Sequence, residues 1–173
     1  MADALFSACF LNACLRNSEY VVMACMAPVV NTRGPLFVHP DGIVKRTTYH
    51  VMYLYANKLL PNVLPVSVKS DMLGKNGKSV PAIDAVVTCS DDKKQLVFAI
   101  VNKDPEKEAV CNLGLDGIDG NITATILSGD STEAFNDITN PNRVAPQEKK
   151  IKINNGNLTI PAHSLIILPI MMK

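Results

Sequence analysis

Acidic side chains are the groups of this sequence best suited to chemistry, because two facing carboxylic acids can cleave a glycosidic bond. Such a pair lies about 5 to 5.5 Å apart in retaining enzymes and about 6.5 to 9.5 Å apart in inverting enzymes. Asp3 and Asp41 are predicted to cap helices, and Asp84 alternates with other residues of a strand so that it should face solvent. The remaining acids lie mostly in turns or beside lysines. We therefore assign no catalytic residue within this sequence.

Metal and nucleophile chemistry is also not indicated. The histidines His39, His50 and His163 are far apart and lack cysteine or acidic ligands at metal spacing, so we predict no metal site. His50 is predicted on the polar side of a helix. The five cysteines form no CxxC pair, and we interpret them as reduced, buried small hydrophobic residues. Phosphate-binding and dinucleotide-binding motifs do not occur either, so no cofactor is expected.

The polar residues that could bind a ligand lie in the loop of residues 26–39. Asn31, Thr32, Arg33 and His39 supply hydrogen-bonding side chains there. Because this loop would leave the carboxyl end of a barrel-like strand, where barrel active sites gather, we predict that Asn31, Arg33 and His39 bind substrate. In the alternative, Asn31 caps a turn and Arg33 pairs with a neighbouring acid.

The elements that would position this loop have the periodicity of an α/β fold. Residues 4–15 are almost all apolar, which predicts a helix that is covered on most sides. Residues 20–26 form an apolar run too short for a helix, which predicts a strand buried on both faces of a parallel sheet. A second helix is predicted to begin near Asp41 and to end before Pro61. This order of elements is typical of an α/β barrel or a doubly wound sheet.

After residue 60 the pattern changes to short β-prone segments, residues 82–89, 96–102, 121–127 and 165–170 among them. Turn-forming Gly, Asn and Asp residues stand between these segments, and no helix intervenes. Such spacing indicates an antiparallel β-sandwich or jelly roll. We therefore predict a mostly β chain in two parts, residues 1–60 and residues 61–173.

Composition and charge limit the class of protein. Apolar residues make up 47% of the sequence, charged residues make up 19%, and the net charge is +1, as in an ordinary globular protein. No basic face for nucleic acid or an anionic membrane is indicated, and no apolar run reaches the ~20 residues that span a bilayer. We expect neither partner. The first residues resemble no secretion signal, and reduced cysteines favour the cytoplasm, although a location outside it stays open.

Four separated segments, residues 2–13, 26–40, 136–146 and 160–164, stand in a fixed order along the sequence. Together they resemble the C-terminal part of the α-L-arabinofuranosidases of glycoside hydrolase family 51. The similarity runs over essentially the whole chain. Several motifs in the right order are more specific than any single motif.

This resemblance implies a (β/α)8 barrel followed by a jelly-roll sandwich, and retaining hydrolysis of terminal α-L-arabinofuranosyl residues from plant polysaccharides and oligosaccharides. Residues 1–60 would be the last helix–strand–helix of that barrel, with residues 20–26 as its eighth strand. The two catalytic glutamates of the family follow the fourth and seventh strands, so both would precede Met1, and we expect the chain to be inactive alone. Pro28 stands where some members carry a glutamine near the sugar.

Two other classes of function fit the same residues. A carbohydrate-binding module is one, although the chain has no tryptophan, and Phe98 and Phe135 are the only aromatic residues after Pro61. A structural or oligomerisation domain is the other, because the apolar first helix needs a covering surface. We accordingly expect arabinofuranosyl glycans as ligands of the parent enzyme, and a homo-oligomer.

Overall fold

The computed structural model describes residues 1–172, and strands predominate among them, which confirms the prediction of a mostly β chain. No helix in this described part has the length and apolar character needed to cross a membrane. The elements are the helices α1 (Ala2–Arg16) and α2 (Thr47–Lys58) and the strands β1 (Leu36–His39), β2 (Gly42–Lys45), β3 (Asn62–Leu64), β4 (Met72–Lys75), β5 (Lys78–Pro81), β6 (Ile83–Cys89), β7 (Gln95–Asn102), β8 (Ala109–Asn112), β9 (Gly120–Ser128), β10 (Gln147–Ile153), β11 (Asn157–Ile160) and β12 (Ser164–Met171).

The largest sheet has six antiparallel strands in the order β10-β9-β12-β7-β6-β3. Its centre is β12, which pairs with β7 along its whole length and with β9 over its first half. The pairs β1-β2, β4-β5 and β8-β11 form separate two-stranded ribbons. Because successive side chains of a strand point to opposite faces, the apolar runs of β7 and β12 give this sheet two apolar faces.

Each face of the six-stranded sheet has its own apolar core. On one face, Leu165 and Ile167 of β12 belong to a cluster that includes residues of α1 and α2. On the other face, Ile166 and Leu168 belong to a cluster that includes Leu158 and other residues of the β8-β11 ribbon. Burying one such side chain is worth about 1.5 to 3 kcal/mol. Helices therefore cover one side of the sheet and a ribbon covers the other.

Residues 20–26 do not form a strand, so the prediction of a buried barrel strand is wrong for this structure. Tyr20, Val22 and Met23 are 79%, 93% and 77% exposed. A strand needs a neighbour that pairs with its backbone N–H and C=O groups. No strand within residues 1–172 pairs with this segment. The apolar run instead crosses the surface without regular structure.

The second helix begins at Thr47, later than predicted. Asp41 does not cap it, because Asp41 lies in the turn of the β1-β2 hairpin, where His39 pairs with Gly42. An Asp-Gly pair between two β-prone segments is also a hairpin signal, and here that signal outweighs the helix-start signal. The hairpin therefore occupies the first positions of the predicted helix.

A polar cluster of Asn12, Arg16, Tyr55 and Asp84 ties the helices to the sheet. The Tyr55 hydroxyl donates to Asn12 Oδ1 at 2.6 Å, and Asn12 Nδ2 donates to Asp84 Oδ2 at 2.9 Å. Arg16 Nη1 donates to Asp84 Oδ1 at 2.9 Å. The prediction that Asp84 faces solvent is wrong, because α1 covers it and only 18% of its side chain is exposed. These hydrogen bonds join α1, α2 and β6.

Tyr55 gives this cluster a pH dependence at alkaline pH. Burial raises the pKa of Tyr55 well above its usual value of 10.0. The unfolded chain therefore loses the phenol proton first, and the free energy of unfolding falls as the pH rises above that value. We expect Tyr55→Phe to lose less stability than the unchanged chain as the pH rises from about 9 to about 11.5, measured by urea unfolding.

The matched control is Tyr20→Phe, because Tyr20 is 79% exposed. That variant should keep the pH dependence of the unchanged chain. Identical pH dependence in the Tyr55→Phe variant would contradict the assignment to Tyr55.

Candidate functional site

The segment before the β1-β2 hairpin folds into a closed loop, residues 29–36. Asn31 N donates to Leu36 O at 2.7 Å, and Leu36 N donates to Val29 O at 3.2 Å. Gly34 N also donates to Asn31 O inside the loop. These backbone hydrogen bonds fix the ends of the 29–36 loop together, so that residues 32 and 33 lie at its tip.

Asn31 has a mainly structural place in this loop. Its Oδ1 accepts a hydrogen bond from Val38 N at 2.7 Å, which joins the loop to β1. Because the two residues are seven positions apart, the contact holds the loop against β1 and does not cap a single turn. Contact between the Asn31 side chain and a substrate stays a prediction.

Arg33 and His39 have fewer contacts. Within the described part of the chain, Arg33 is exposed and makes no ion pair, so it does not pair with a neighbouring acid. His39 Nδ1 lies 3.2 Å from Asp41 N, from which it accepts, and 3.3 Å from Asp41 Oδ2. The loop tip thus presents a guanidinium, and the hairpin presents an imidazole whose Nε2 takes no part in these contacts. Both groups can hydrogen-bond hydroxyl groups.

The other histidines have structural environments. His50 lies inward on α2 and is only 8% exposed, so its prediction on a polar helix face is wrong. Burial, with a smaller contribution from Lys45, lowers the pKa of His50. His163 Nδ1 lies 2.9 Å from Pro105 O, and its Nε2 lies 3.0 Å from Gly129 O, so it bridges two loops. Residues 1–172 contain no group of three or more His, Cys, Asp or Glu residues arranged to hold a metal ion.

The cysteines are free but not uniformly buried, contrary to the prediction. Cys89 is buried in the sheet, Cys9, Cys14 and Cys111 are partly buried, and Cys25 is exposed. Cys25 is exposed because the segment of residues 20–26 lies on the surface.

A groove of about 970 Å³ lies between residues 66–73 and β8, with a floor of residues from β6 and β7. Charged side chains such as Lys69, Asp71 and Lys107 line it. Phe98 is the only aromatic residue among its lining residues in the described chain, and Phe98 is 6% exposed. The groove therefore lacks the open aromatic platform on which a carbohydrate-binding module stacks sugars.

The outer side of α1 carries an exposed apolar face, which we define as Phe6 and Phe10. Their exposed fractions are 74% and 56%. Beside it, a shallow depression of about 290 Å³ is lined by Phe6, Phe10, Met52 of α2 and residues 24–27. A contiguous apolar surface of this kind marks an interaction site in a stable protein.

Comparison with known proteins gives one consistent family. Residues 1–164 match the family described as the alpha-L-arabinofuranosidase C-terminal domain. Alpha-L-arabinofuranosidase C of Emericella nidulans is 30% identical over 176 residues, which cover 97% of this chain and 34% of that protein.

Solved structures agree with this match. A family 51 α-L-arabinofuranosidase from Bifidobacterium longum superimposes with a TM-score of 0.84 at 25% identity, covering 98% of this chain and 34% of that one. The fold is also shared with an α-L-arabinofuranosidase from Thermotoga maritima, with a TM-score of 0.85 at 23% identity and coverages of 98% and 38%. The chain thus spans about a third of the length of the proteins it matches.

Proposed function

The chain belongs to the family of α-L-arabinofuranosidase C-terminal domains, and we propose that it acts as the C-terminal portion of such an enzyme. The complete enzyme would remove terminal α-L-arabinofuranosyl residues from arabinose-containing plant polysaccharides and oligosaccharides by a retaining mechanism. Relatives named α-L-arabinofuranosidase, matched over about a third of their length, support this proposal.

The exposed apolar face of α1 is the observation that carries the proposal. Phe6 and Phe10 would each gain about 1.5 to 3 kcal/mol if they were buried. A catalytic (β/α)8 barrel would bury them, and its strands would supply hydrogen-bond partners for residues 20–26. Residues 1–60 would then complete that barrel, and residues 61–173 would form a jelly-roll sandwich that braces it.

The mechanism divides the work between the two parts of the enzyme. In the retaining reaction, one carboxylic acid protonates the leaving oxygen, and a second carboxylate attacks the sugar and forms a covalent intermediate. We assign both roles to glutamates of the barrel, outside these residues. Arg33 and His39 would donate hydrogen bonds to hydroxyl groups of the bound furanose, and Asn31 would hold the loop that carries Arg33.

The purified chain should therefore show no hydrolysis of an aryl α-L-arabinofuranoside above the rate in buffer. The reason is that a retaining reaction needs two facing carboxylic acids, and Asp84, the most covered acid described above, is held by Arg16 and Asn12. Release of the aryl alcohol, followed by absorbance, measures the rate. Turnover that is lost when a carboxylate of this chain is replaced would contradict the proposal.

The same preparation tests the exposed apolar face. We expect the chain alone to self-associate in sedimentation velocity runs, because the face is uncovered. Phe10→Glu should give a monomer, whereas the control Val110→Glu should leave association unchanged, since Val110 is 73% exposed on β8. A monomeric unchanged chain at high concentration would contradict the role of the face.

We also propose a cytoplasmic location and a homo-oligomeric parent enzyme. Five free cysteines, with Cys25 exposed, suit a reducing compartment, where an accessible thiol is not oxidised. The oligomer would use apolar surface that the barrel leaves uncovered.

A further inference from the structure

We infer that Arg46 is a positioning residue that holds Arg33 and His39 in the arrangement that binds substrate. The inference rests on the proposed function for the identity of that substrate, a furanosyl sugar. Its physical basis is a set of contacts between Arg46 and both segments that carry the two candidate residues.

Arg46 binds the carbonyl groups on both sides of Arg33. Its Nη1 donates to Thr32 O at 2.7 Å and to Gly34 O at 3.3 Å. Its backbone N donates to Pro35 O at 2.9 Å. The guanidinium group of Arg46 therefore holds the backbone carbonyls of the residues before and after Arg33. This contact fixes the backbone at Arg33 and with it the direction of the Cα–Cβ bond.

Arg46 also supports the hairpin that carries His39. The guanidinium carbon of Arg46 lies 5.3 Å from the centroid of the Phe37 ring, in cation–π contact. Phe37 and His39 lie on the same face of β1, with ring centroids 6.0 Å apart. The side chain of Arg46 thus connects the loop of Arg33, through Phe37, to the imidazole of His39.

The backbone of the loop needs such a support. Asn31 and Thr32 have backbone φ values of 57° and 41°. These values lie in the left-handed region, which residues other than glycine rarely adopt. Such conformations persist only where surrounding contacts hold them, and they are enriched at ligand-binding sites. Lysine cannot replace Arg46, because an ammonium group is not planar and does not combine two carbonyl contacts with stacking on a ring.

Hydrogen exchange of the 173-residue chain tests this inference. We expect Arg46→Lys to speed exchange of the Asn31, Leu36 and Val38 amides by about tenfold or more, while amides of β12 stay unchanged. The matched control is Arg143→Lys, because Arg143 also donates two hydrogen bonds, to Asp130, in another loop. Unchanged exchange in the loop would overturn the inference. Equal acceleration in β12 would overturn it too, since Arg46 would then act only on global stability.

Ring-proton chemical shifts provide a second readout, which a loss of global stability alone would not move. In Arg46→Lys the ring shifts of His39 should change, because Phe37 loses its partner, while those of His163 should not. Unchanged His39 shifts would overturn the link between Arg46 and His39. Both measurements are made without sugar, so failure here is distinguishable from failure of the proposed function, which the hydrolysis and sedimentation experiments decide.

Discussion

Replacing Leu165 with alanine is expected to lower the free energy of unfolding by about 2 to 5 kcal/mol. Leu165 is fully buried at the centre of the six-stranded sheet, where it lies opposite Val101 of β7 and Leu127 of β9. Both neighbours are also fully buried, and their strands are paired on both sides, so the sheet cannot close over the space that the leucine leaves. Urea unfolding followed by circular dichroism measures the loss.

Leu168→Ala makes this experiment sharper. Leu168 is also fully buried on β12, but it faces the core under the β8-β11 ribbon. Both variants should lose a similar amount of unfolding free energy. Only Leu165→Ala should also speed hydrogen exchange of the backbone amides of α1. The control Val110→Ala, at a position 73% exposed, should change stability by less than about 0.5 kcal/mol. If Leu165→Ala lost no more unfolding free energy than Val110→Ala, the close packing of the helices over this core would be contradicted.

Replacing Gly34 with alanine should destabilise the 29–36 loop and the chain by about 1 to 3 kcal/mol. A Cβ atom at position 34 would lie 2.6 Å from the carbonyl carbon and oxygen of Val29 and 2.7 Å from Pro28 O. These are backbone atoms, which a rotamer change cannot move aside. The loop must open to admit the methyl group, so exchange of the Leu36 amide should rise together with the loss of stability.

Gly74→Ala is the matched control, because the nearest atom to an added Cβ there is Lys78 O at 3.8 Å. We expect little change in that variant. If Gly34→Ala were as stable as Gly74→Ala and kept a protected Leu36 amide, the close packing of the loop against residues 28 and 29 would be contradicted.

The β part of the fold could be predicted from sequence because its signals are local. Residues 82–89, 96–102, 121–127 and 165–170 are apolar runs bounded by turn formers, and they correspond closely to β6, β7, β9 and β12. Residues 20–26 carry the same local signal without forming a strand. The difference is the presence of a pairing partner, which lies elsewhere in a chain and which apolar periodicity does not report.

Polar contacts over long sequence separations explain the other differences. The alternation of residues along the strand predicts that Asp84 faces solvent, but its partner Asn12 lies 72 residues earlier in the chain. For the candidate site, the polar loop itself could be predicted from its composition. The role of Arg46 could not, because its acceptors Thr32 and Gly34 lie 14 and 12 residues away in a segment without regular structure.

The core shared by α1, α2 and the sheet limits how this region can be recombined between enzymes. Leu165 and Ile167 lie in one apolar cluster with Leu54 of α2, so a cut near residue 60 would divide a single core although it separates two kinds of sequence pattern. Transplanting residues 61–173 by themselves would leave that side of the sheet bare to water. A chimeric protein should therefore exchange residues 1–60 and residues 61–173 together.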